Sequence, residues 1–232
     1  MIDLSQAEAV ESLNADEVIA RALGDNQLSR ACLTCSFQAE DVVVLHLLRM
    51  RVPQIPVLFL ETGYHFPATY EFRDQLAREW RLNLLNIFPH KTVLEQEAEL
   101  GILYQSNPTR CCQLRKVEPL MQALEPFEIW FTGLRREQSP TRRNLKKIEE
   151  HRLPSGKMLF KVNPLADWTG AQVWGYTGAH RLPFLPQYDR GYSSIGCEPC
   201  TALPSDPNSP RSGRWGGRKL ECGIHTFSEQ ER

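Results

Sequence analysis

Two pairs of cysteines and one solitary cysteine carry most of the chemistry this chain could do. Cys111 and Cys112 stand side by side in TRCCQLRK, with Arg110 before them and Arg115 and Lys116 just after. Neighbouring Cα atoms lie ~3.8 Å apart, short of the ~4.4–6.8 Å a disulfide spans, so the two read as thiols rather than a bridge. Asn107-Pro108-Thr109 has the form of a helix start, with either polar residue as cap. That would set the pair in a first turn, where the helix terminus and the flanking cations favour thiolates. Cys197 and Cys200, in IGCEPC, form a C-x-x-C turn whose sulfurs can point at one metal. The four thiolates together are the number that zinc or a 4Fe-4S cluster takes. Structural zinc usually takes two C-x-x-C knuckles, so a C-C pair with one C-x-x-C suits the larger cubane better. The bland alternative is two unrelated pairs of buried thiols.

The other cysteines read differently. Cys32 and Cys35 also spell C-x-x-C, but they fall in ACLTCSF among Ala31, Leu33 and Phe37. In such a strand cysteine acts as a small hydrophobe. Cys222 lies in KLECGIHT, ten residues from the C-terminus, with Lys219 and His225 close by and Gly223 adjacent. Basic neighbours activate a thiol and exposure permits attack; Glu221 opposes this.

The chain has 232 residues, seven cysteines and a formal net charge of −1. That length can bury a full core without disulfides. The near-zero charge argues against a general polyanion binder, so no nucleic-acid partner is expected. MIDLSQAEAV has neither a basic n-region nor an apolar h-region, and no apolar run approaches the ~20 residues of a membrane span. A cytoplasmic protein without membrane contact is expected. In that reducing compartment an odd number of cysteines points to metal binding or catalysis.

The elements that must position these thiols follow from periodicity. Residues 5–23 read as one amphipathic helix, with Leu4, Val10, Leu13, Val18, Ile19 and Leu23 apolar. Strands are expected at 31–37, 57–61, 82–88, 127–133 and 158–162, and helices at 40–51, 66–80, 91–100 and 112–124. This alternation predicts an α/β fold with an open, mostly parallel sheet. Ser36, Thr62-Gly63, Thr132-Gly133 and Asn163-Pro164 follow the strands. Small polar residues make turns, but four such strand ends together favour a nucleotide crevice, where Ser36, Thr62, Gly63 and Gly133 would meet the ligand. Beyond residue 180 the chain turns rich in Pro, Gly and Ser. The expected division is a nucleotide-binding α/β domain over 1–180 and an extended C-terminal segment over 181–232.

The sequence resembles the assimilatory adenylylsulfate (APS) reductases, within the wider phosphoadenylylsulfate (PAPS) reductase family. The pieces that carry the likeness are SFQAEDVV, LETGYHF, CCQLRKVEPL, GLRREQSPTR, NPLADW, IGCEPC, RSGRW and ECGIHT, in that order between about Cys35 and Thr226. The resemblance implies an adenine-nucleotide fold related to the PP-loop ATP pyrophosphatases. It implies that Cys111, Cys112, Cys197 and Cys200 ligate a 4Fe-4S cluster and that Cys222 is the nucleophile. Cys222 would attack the sulfur of adenylylsulfate, AMP would leave, and thioredoxin or a similar dithiol would release sulfite from the S-sulfocysteine. The product would feed cysteine synthesis. A homo-oligomer, dimer or tetramer, is also implied.

Cys112 and Lys116 would share a helix face as i and i+4. The resemblance places Lys116 between cluster and substrate, balancing the charge of both. Arg142 in SPTR, with Arg211 and Arg214 in RSGRW, matches residues that bind the substrate's sulfate and phosphate. Ser36 and its turn match a phosphate-binding loop, although SFQAED lacks the glycines that let backbone N–H groups cradle a phosphate. RREQSPTRRNLKK holds six basic residues against one acidic; alone it reads as a solvated loop or an RNA contact. Three alternatives stand beside this reading. One is reduction of 3′-phosphoadenylylsulfate by the same mechanism. Another is a cluster-bearing tRNA sulfurtransferase, which would need an SGGxDS loop that SFQAED does not supply. The third is a zinc-stabilised nucleotide- or RNA-binding module with no role for Cys222.

Overall fold

The computed structural model describes residues 7–24, 30–206 and 209–225. Leu4 and residues 5 and 6 of the first expected helix, residues 207 and 208, and 226–232 of the C-terminal segment, including Thr226 of ECGIHT, lie outside the described residues.

The expected N-terminal helix is two helices, α1 (Ala7–Ser12) and α2 (Ala15–Leu23). Asn14 breaks the run. Its side chain accepts from the Glu17 N–H at 3.0 Å, and Glu17 accepts from the Asn14 N–H at 2.7 Å. Such a reciprocal capping box starts a new helix rather than continuing an old one.

All five expected strands are present, most trimmed at their ends: β1 (Ala31–Thr34), β2 (Pro56–Leu60), β3 (Asn83–Ile87), β4 (Ile129–Phe131) and, last in the chain, Met158–Val162. A sixth, Ile148–Arg152, was not foreseen and is numbered β5, so that Met158–Val162 is β6. Its IEEHR is mostly charged because it forms a sheet edge, where one side faces water. The sheet order is β3-β2-β1-β4-β6-β5, parallel except for the β5–β6 pair. The order runs one way from β1 to β2 and the other way to β4. The point of reversal is where an open α/β sheet leaves a crevice beyond its carboxyl ends.

Strand alternation sends apolar side chains to both faces, as a doubly covered sheet requires. Ala31, Leu33, Val57, Phe59, Ile129 and Phe131 join one core with residues of α2, α3 (Ala39–Arg49) and α4 (Pro67–Trp80). Cys32, Leu58, Trp130 and Leu159 face the other way, against Leu120, Met121 and Leu124. Each fully buried aliphatic or aromatic side chain contributes roughly 1.5–3 kcal/mol.

Three short helices follow β3: α5 (Val93–Leu100), α6 (Leu103–Ser106) and α7 (Pro108–Cys112). The last runs without a break through a π-helical turn, Gln113–Val117, into α8 (Glu118–Leu124). The expected 112–124 helix is therefore real and starts at Pro108, where the Asn107-Pro108-Thr109 start signal lies, with Asn107 rather than Thr109 as its cap. Asn107 accepts from the Arg110 N–H at 3.0 Å. Another unforeseen helix, α9 (Gly170–Ala179), hides behind three glycines of low helix propensity and starts from a Thr169–Gln172 capping box.

Beyond residue 180 the chain crosses the α/β body in short turns and isolated bridges, His65 to Cys197 and Thr201 to Arg214. Leu182, Leu185 and Ile195 enter the body's core. No helix among the described residues is long and apolar enough to cross a membrane.

Candidate active site

A cavity of about 160 Å³ opens at the carboxyl ends of β1, β2 and β4. Thr34, Cys35 and Ser36 line it from β1, Leu58 to Leu60 from β2, and Thr132 and Gly133 from β4. The loop after β1 is tightly built. Phe37 takes a left-handed φ of +61°, and its ring is fully buried against Phe59 and Phe72. A left-handed residue with a Cβ is strained; here core packing holds it where a glycine would otherwise serve. Asp41 accepts from both the amide and the hydroxyl of Ser36 at 2.6 Å. The loop amide that could face a phosphate is thus spent on a carboxylate. Burial raises the Asp41 pKa to about 6, against the pull of Ser36. Gly133 is required by this packing: a Cβ there would meet Asp41 Oδ1 at 2.3 Å and the Asp41 backbone at 3.0 Å.

Cys111, Cys112, Cys197 and Cys200 all line a second, narrow pocket, together with Thr62, Tyr64, Lys116 and Trp215. Residues far apart in sequence are thus brought together. The expected stabilisation of Cys111 and Cys112 as thiolates by the helix terminus does not occur. Both lie beyond the first turn, and the Cys111 N–H is already bonded to the Asn107 carbonyl. Burial, then the neighbouring thiols Cys112, Cys197 and Cys200, push Cys111 up to about 12. Burial also raises Cys112, and burial then Cys197 raises Cys200. Cys197 goes the other way. Burial would raise it, but Lys116, the Thr62 hydroxyl at 3.4 Å and Arg214 outweigh that and lower it.

Among the described residues no three His, Cys, Asp or Glu side chains form a ready-made metal-binding group. A single tetrahedral ion with Zn–S of ~2.3 Å needs its sulfurs only ~3.8 Å apart. A cubane spreads the same four sulfurs over its corners. Four thiols around one pocket, beside a lysine, form a donor set that fits an iron–sulfur cluster by its chemistry.

Lys116 is the shared wall of the two pockets. Burial would lower its pKa, but Cys197, Cys222 and Cys112 together overcome this and raise it. The π-turn keeps Cys112 and Lys116 close, as their i, i+4 spacing predicts. Trp215 also borders both pockets, with Arg211, Arg214 and Lys219 at 5.6, 4.6 and 5.2 Å from its ring.

Ser36, Lys116, Gly133, Arg142, Arg211, Arg214 and Cys222 line the larger cavity, as their sequence contexts suggest. Thr62 and Gly63 do not. Thr62 is buried on the thiol side, and Gly63, at φ +72°, packs against Val93 and Arg115. Strand β2 ends two residues before Thr62, so the chain has already turned away from the crevice. Of the Cys32/Cys35 pair, Cys32 lies within β1 as expected, whereas Cys35 follows the strand end and borders the cavity; both are buried and burial raises both thiols. The sequence assigned no site role to Asp41 or Trp215, and it offered His225 as a basic neighbour activating Cys222, which its neutral state does not support. Trp215 could have been found as the one aromatic in a basic, glycine-rich run. His225 stacks on Trp130 at 5.4 Å and lies in the cavity wall; burial, then Lys161, keep it neutral.

Comparison with known proteins bears on this geometry. A profile of the phosphoadenosine phosphosulfate reductase domain matches residues 30–203. A phosphoadenosine 5′-phosphosulfate reductase of Gloeobacter violaceus is 43% identical over 222 residues, covering 94% of this chain and 88% of that protein. An adenosine 5′-phosphosulfate reductase of Geobacillus thermodenitrificans is 44% identical over 195 residues, covering 82% and 81%. Among solved structures, the phosphoadenylyl-sulfate reductase of Candida auris, in a phosphate complex, superposes with a TM-score of 0.71 at 27% identity, over 87% of this chain and 99% of that one.

Proposed function

The chain belongs to the phosphoadenosine phosphosulfate reductase family, and on that premise we propose that it reduces adenylylsulfate to sulfite and AMP during sulfate assimilation. The observation that carries the reading is that Cys222, the more exposed of the two thiols lining the cavity (Cys35 is buried), stands there with Lys116, Arg142, Arg211 and Arg214. A nucleophile beside a concentration of positive charge suits an anionic, sulfur-bearing substrate.

In this reading the nucleotide lies over the carboxyl ends of β1, β2 and β4, with its phosphosulfate toward Lys116 and the arginines. The Cys222 thiolate attacks the sulfonate sulfur. The S–O bond to the phosphate breaks, and AMP leaves with the electron pair. The cations stabilise the charge that moves onto the leaving phosphate. A dithiol of the thioredoxin kind then attacks Cys222 Sγ of the S-sulfocysteine. Sulfite departs with two electrons, and the dithiol's second thiol frees Cys222 by closing its own disulfide. Chemistry that depends on free thiols suits a reducing compartment such as the cytoplasm.

Cys111, Cys112, Cys197 and Cys200 would hold a 4Fe-4S cluster. When bound, that group supplies negative charge and shapes the field of the site. Lys116 stands between those sulfurs and the cavity, so it would screen the substrate from them. Reduction of 3′-phosphoadenylylsulfate is the second reading, favoured by the name of the Gloeobacter relative.

The test is a steady-state assay with reduced thioredoxin and either nucleotide. Sulfite and AMP (or its 3′-phosphate) should appear in equal amounts. The ratio of kcat/KM values for the two substrates decides between the readings. Release of sulfite from neither overturns both.

A further inference from the structure

Cys222 is suspended between two anchors, and only one of them is ionic. On the far side, Gly223 at φ +101° turns the chain, Ile224 packs on the Trp130 face of the core, and His225 stacks on Trp130. On the near side sits Glu221, whose side chain is only 10% exposed. It accepts from Arg142 Nε at 2.8 Å and Nη2 at 2.7 Å, and from Thr141 Oγ1 at 3.0 Å. Arg211 Nη2 lies 3.5 Å from the same carboxylate, and Arg211 also donates twice to the Leu220 carbonyl at 3.1 Å. Arg142 spends its remaining Nη1 group on Gln138.

A carboxylate among these arginines could be a stand-in for the substrate's anion or a clasp for the tail. Position decides. Arg142, Arg211 and Cys222 line the cavity, whereas Glu221 does not. It grips the arginines from outside the space a substrate would fill. Charge agrees: one carboxylate against two guanidiniums leaves a net positive charge to face the cavity.

We propose that Glu221 is a positioning residue which, clasped by Arg142 and Arg211, holds the tail so that the Cys222 sulfur stands over the cavity during attack. This rests on the reading of Cys222 as the nucleophile. Glu221 touches no substrate and transfers no proton. Its contribution is to keep one residue's sulfur in place, which acts on the rate of attack rather than on nucleotide binding.

The experiment compares full-length, anaerobically purified wild type, Glu221→Gln and Glu221→Asp. Three quantities are measured: the first-order rate of sulfonate addition to Cys222 at saturating adenylylsulfate without dithiol, the Kd for AMP, and the rate of Cys222 alkylation by iodoacetamide, located by peptide mass. Glu221→Gln should slow sulfonate addition roughly ten- to hundredfold, the worth of one charge-assisted hydrogen-bonded pair. AMP affinity should not change, and alkylation should speed up as the tail is released. Glu221→Asp, which keeps the charge, should recover part of the rate. An unchanged addition rate in Glu221→Gln overturns the proposal. So does tighter AMP or adenylylsulfate binding with the rate intact, which would make Glu221 a competitor of the substrate. If wild type itself forms no adduct, the nucleophile reading fails first, and this inference falls with it.

Discussion

Two segments wall the same cavity and are built in opposite ways. The loop after β1, residues 35–41, is locked from within. Phe37 is fully buried, Ser36 is bonded twice to Asp41, and Gly133 closes on Asp41 with no room for a side chain. The tail, residues 218–225, is held from outside. Most of its ties are ion pairs, carbonyl contacts and one stacked ring, such as Arg218 on the Gln105 carbonyl at 2.7 Å and His225 on Trp130, with Ile224 as an apolar contact on the core. A wall made of core cannot leave without unfolding the sheet. A wall made of clasps can let go. In the proposed reaction Cys222 meets a small anion and then a protein, and such a thiol belongs on the second kind.

Substitutions can break this comparison, beginning with the largest effect. Phe37→Ala should cost about 3–5 kcal/mol of stability, the usual loss for a buried phenylalanine, read as a fall in the urea midpoint. Alanine keeps the Cβ that makes a left-handed φ costly, so no relief of backbone strain offsets the loss. If the midpoint holds, the loop is not core-locked. Lys116→Ala should lower kcat/KM by about 10²–10³, as loss of a preorganised charge does. Unchanged turnover and affinity would remove Lys116 from the account.

Gly223→Ala sharpens the tail side. Its φ of +101° disfavours any side chain, and the new methyl would lie 3.3 Å from Val117. The strain, about 1–3 kcal/mol, should appear as slower sulfonate addition with little change in the urea midpoint, because the tail can shift without the sheet.

The smallest effect is on pH dependence. Asp41 holds its proton up to about pH 6 in the folded chain because burial penalises its charge, whereas an unfolded aspartate titrates near ~3.9. The folded state therefore binds the proton more tightly. The stability this provides is complete below about pH 4 and is lost as pH rises through about 6. Urea midpoints from pH 4.5 to 7 should fall more for wild type than for Asp41→Asn; parallel curves would contradict the burial of that carboxylate.

Much of the frame was legible because it rests on local pattern. The five apolar runs became strands, four of them burying both faces and β3 forming a largely exposed edge, and the C-C and C-x-x-C pairs met in one pocket as their matching chemistry suggested. What escaped the sequence rests on long-range geometry. Strand β5 is charged because it is an edge, which no local window reveals. Thr62 and Gly63 follow a strand like Ser36 and Gly133 do, yet β2 ends before them; Thr62 turns toward the thiols and Gly63 packs against Val93 and Arg115. The helix start at Asn107-Pro108 was legible, but with Asn107 as the cap the cysteines fall just past the free amides of the first turn, and burial rather than the helix terminus sets their titration. Glu221 reads in sequence only as a poor neighbour for a reactive thiol; its partner Arg142 lies 79 residues away.

The most direct test is the intact mass of anaerobically purified protein after mixing with adenylylsulfate in the absence of any dithiol, beside Cys222→Ser. Wild type should gain one sulfonate on Cys222 and release one AMP, and the variant should gain nothing. A wild type that stays unmodified, or a variant modified to the same extent, would contradict the assignment of Cys222 and with it the proposed reaction.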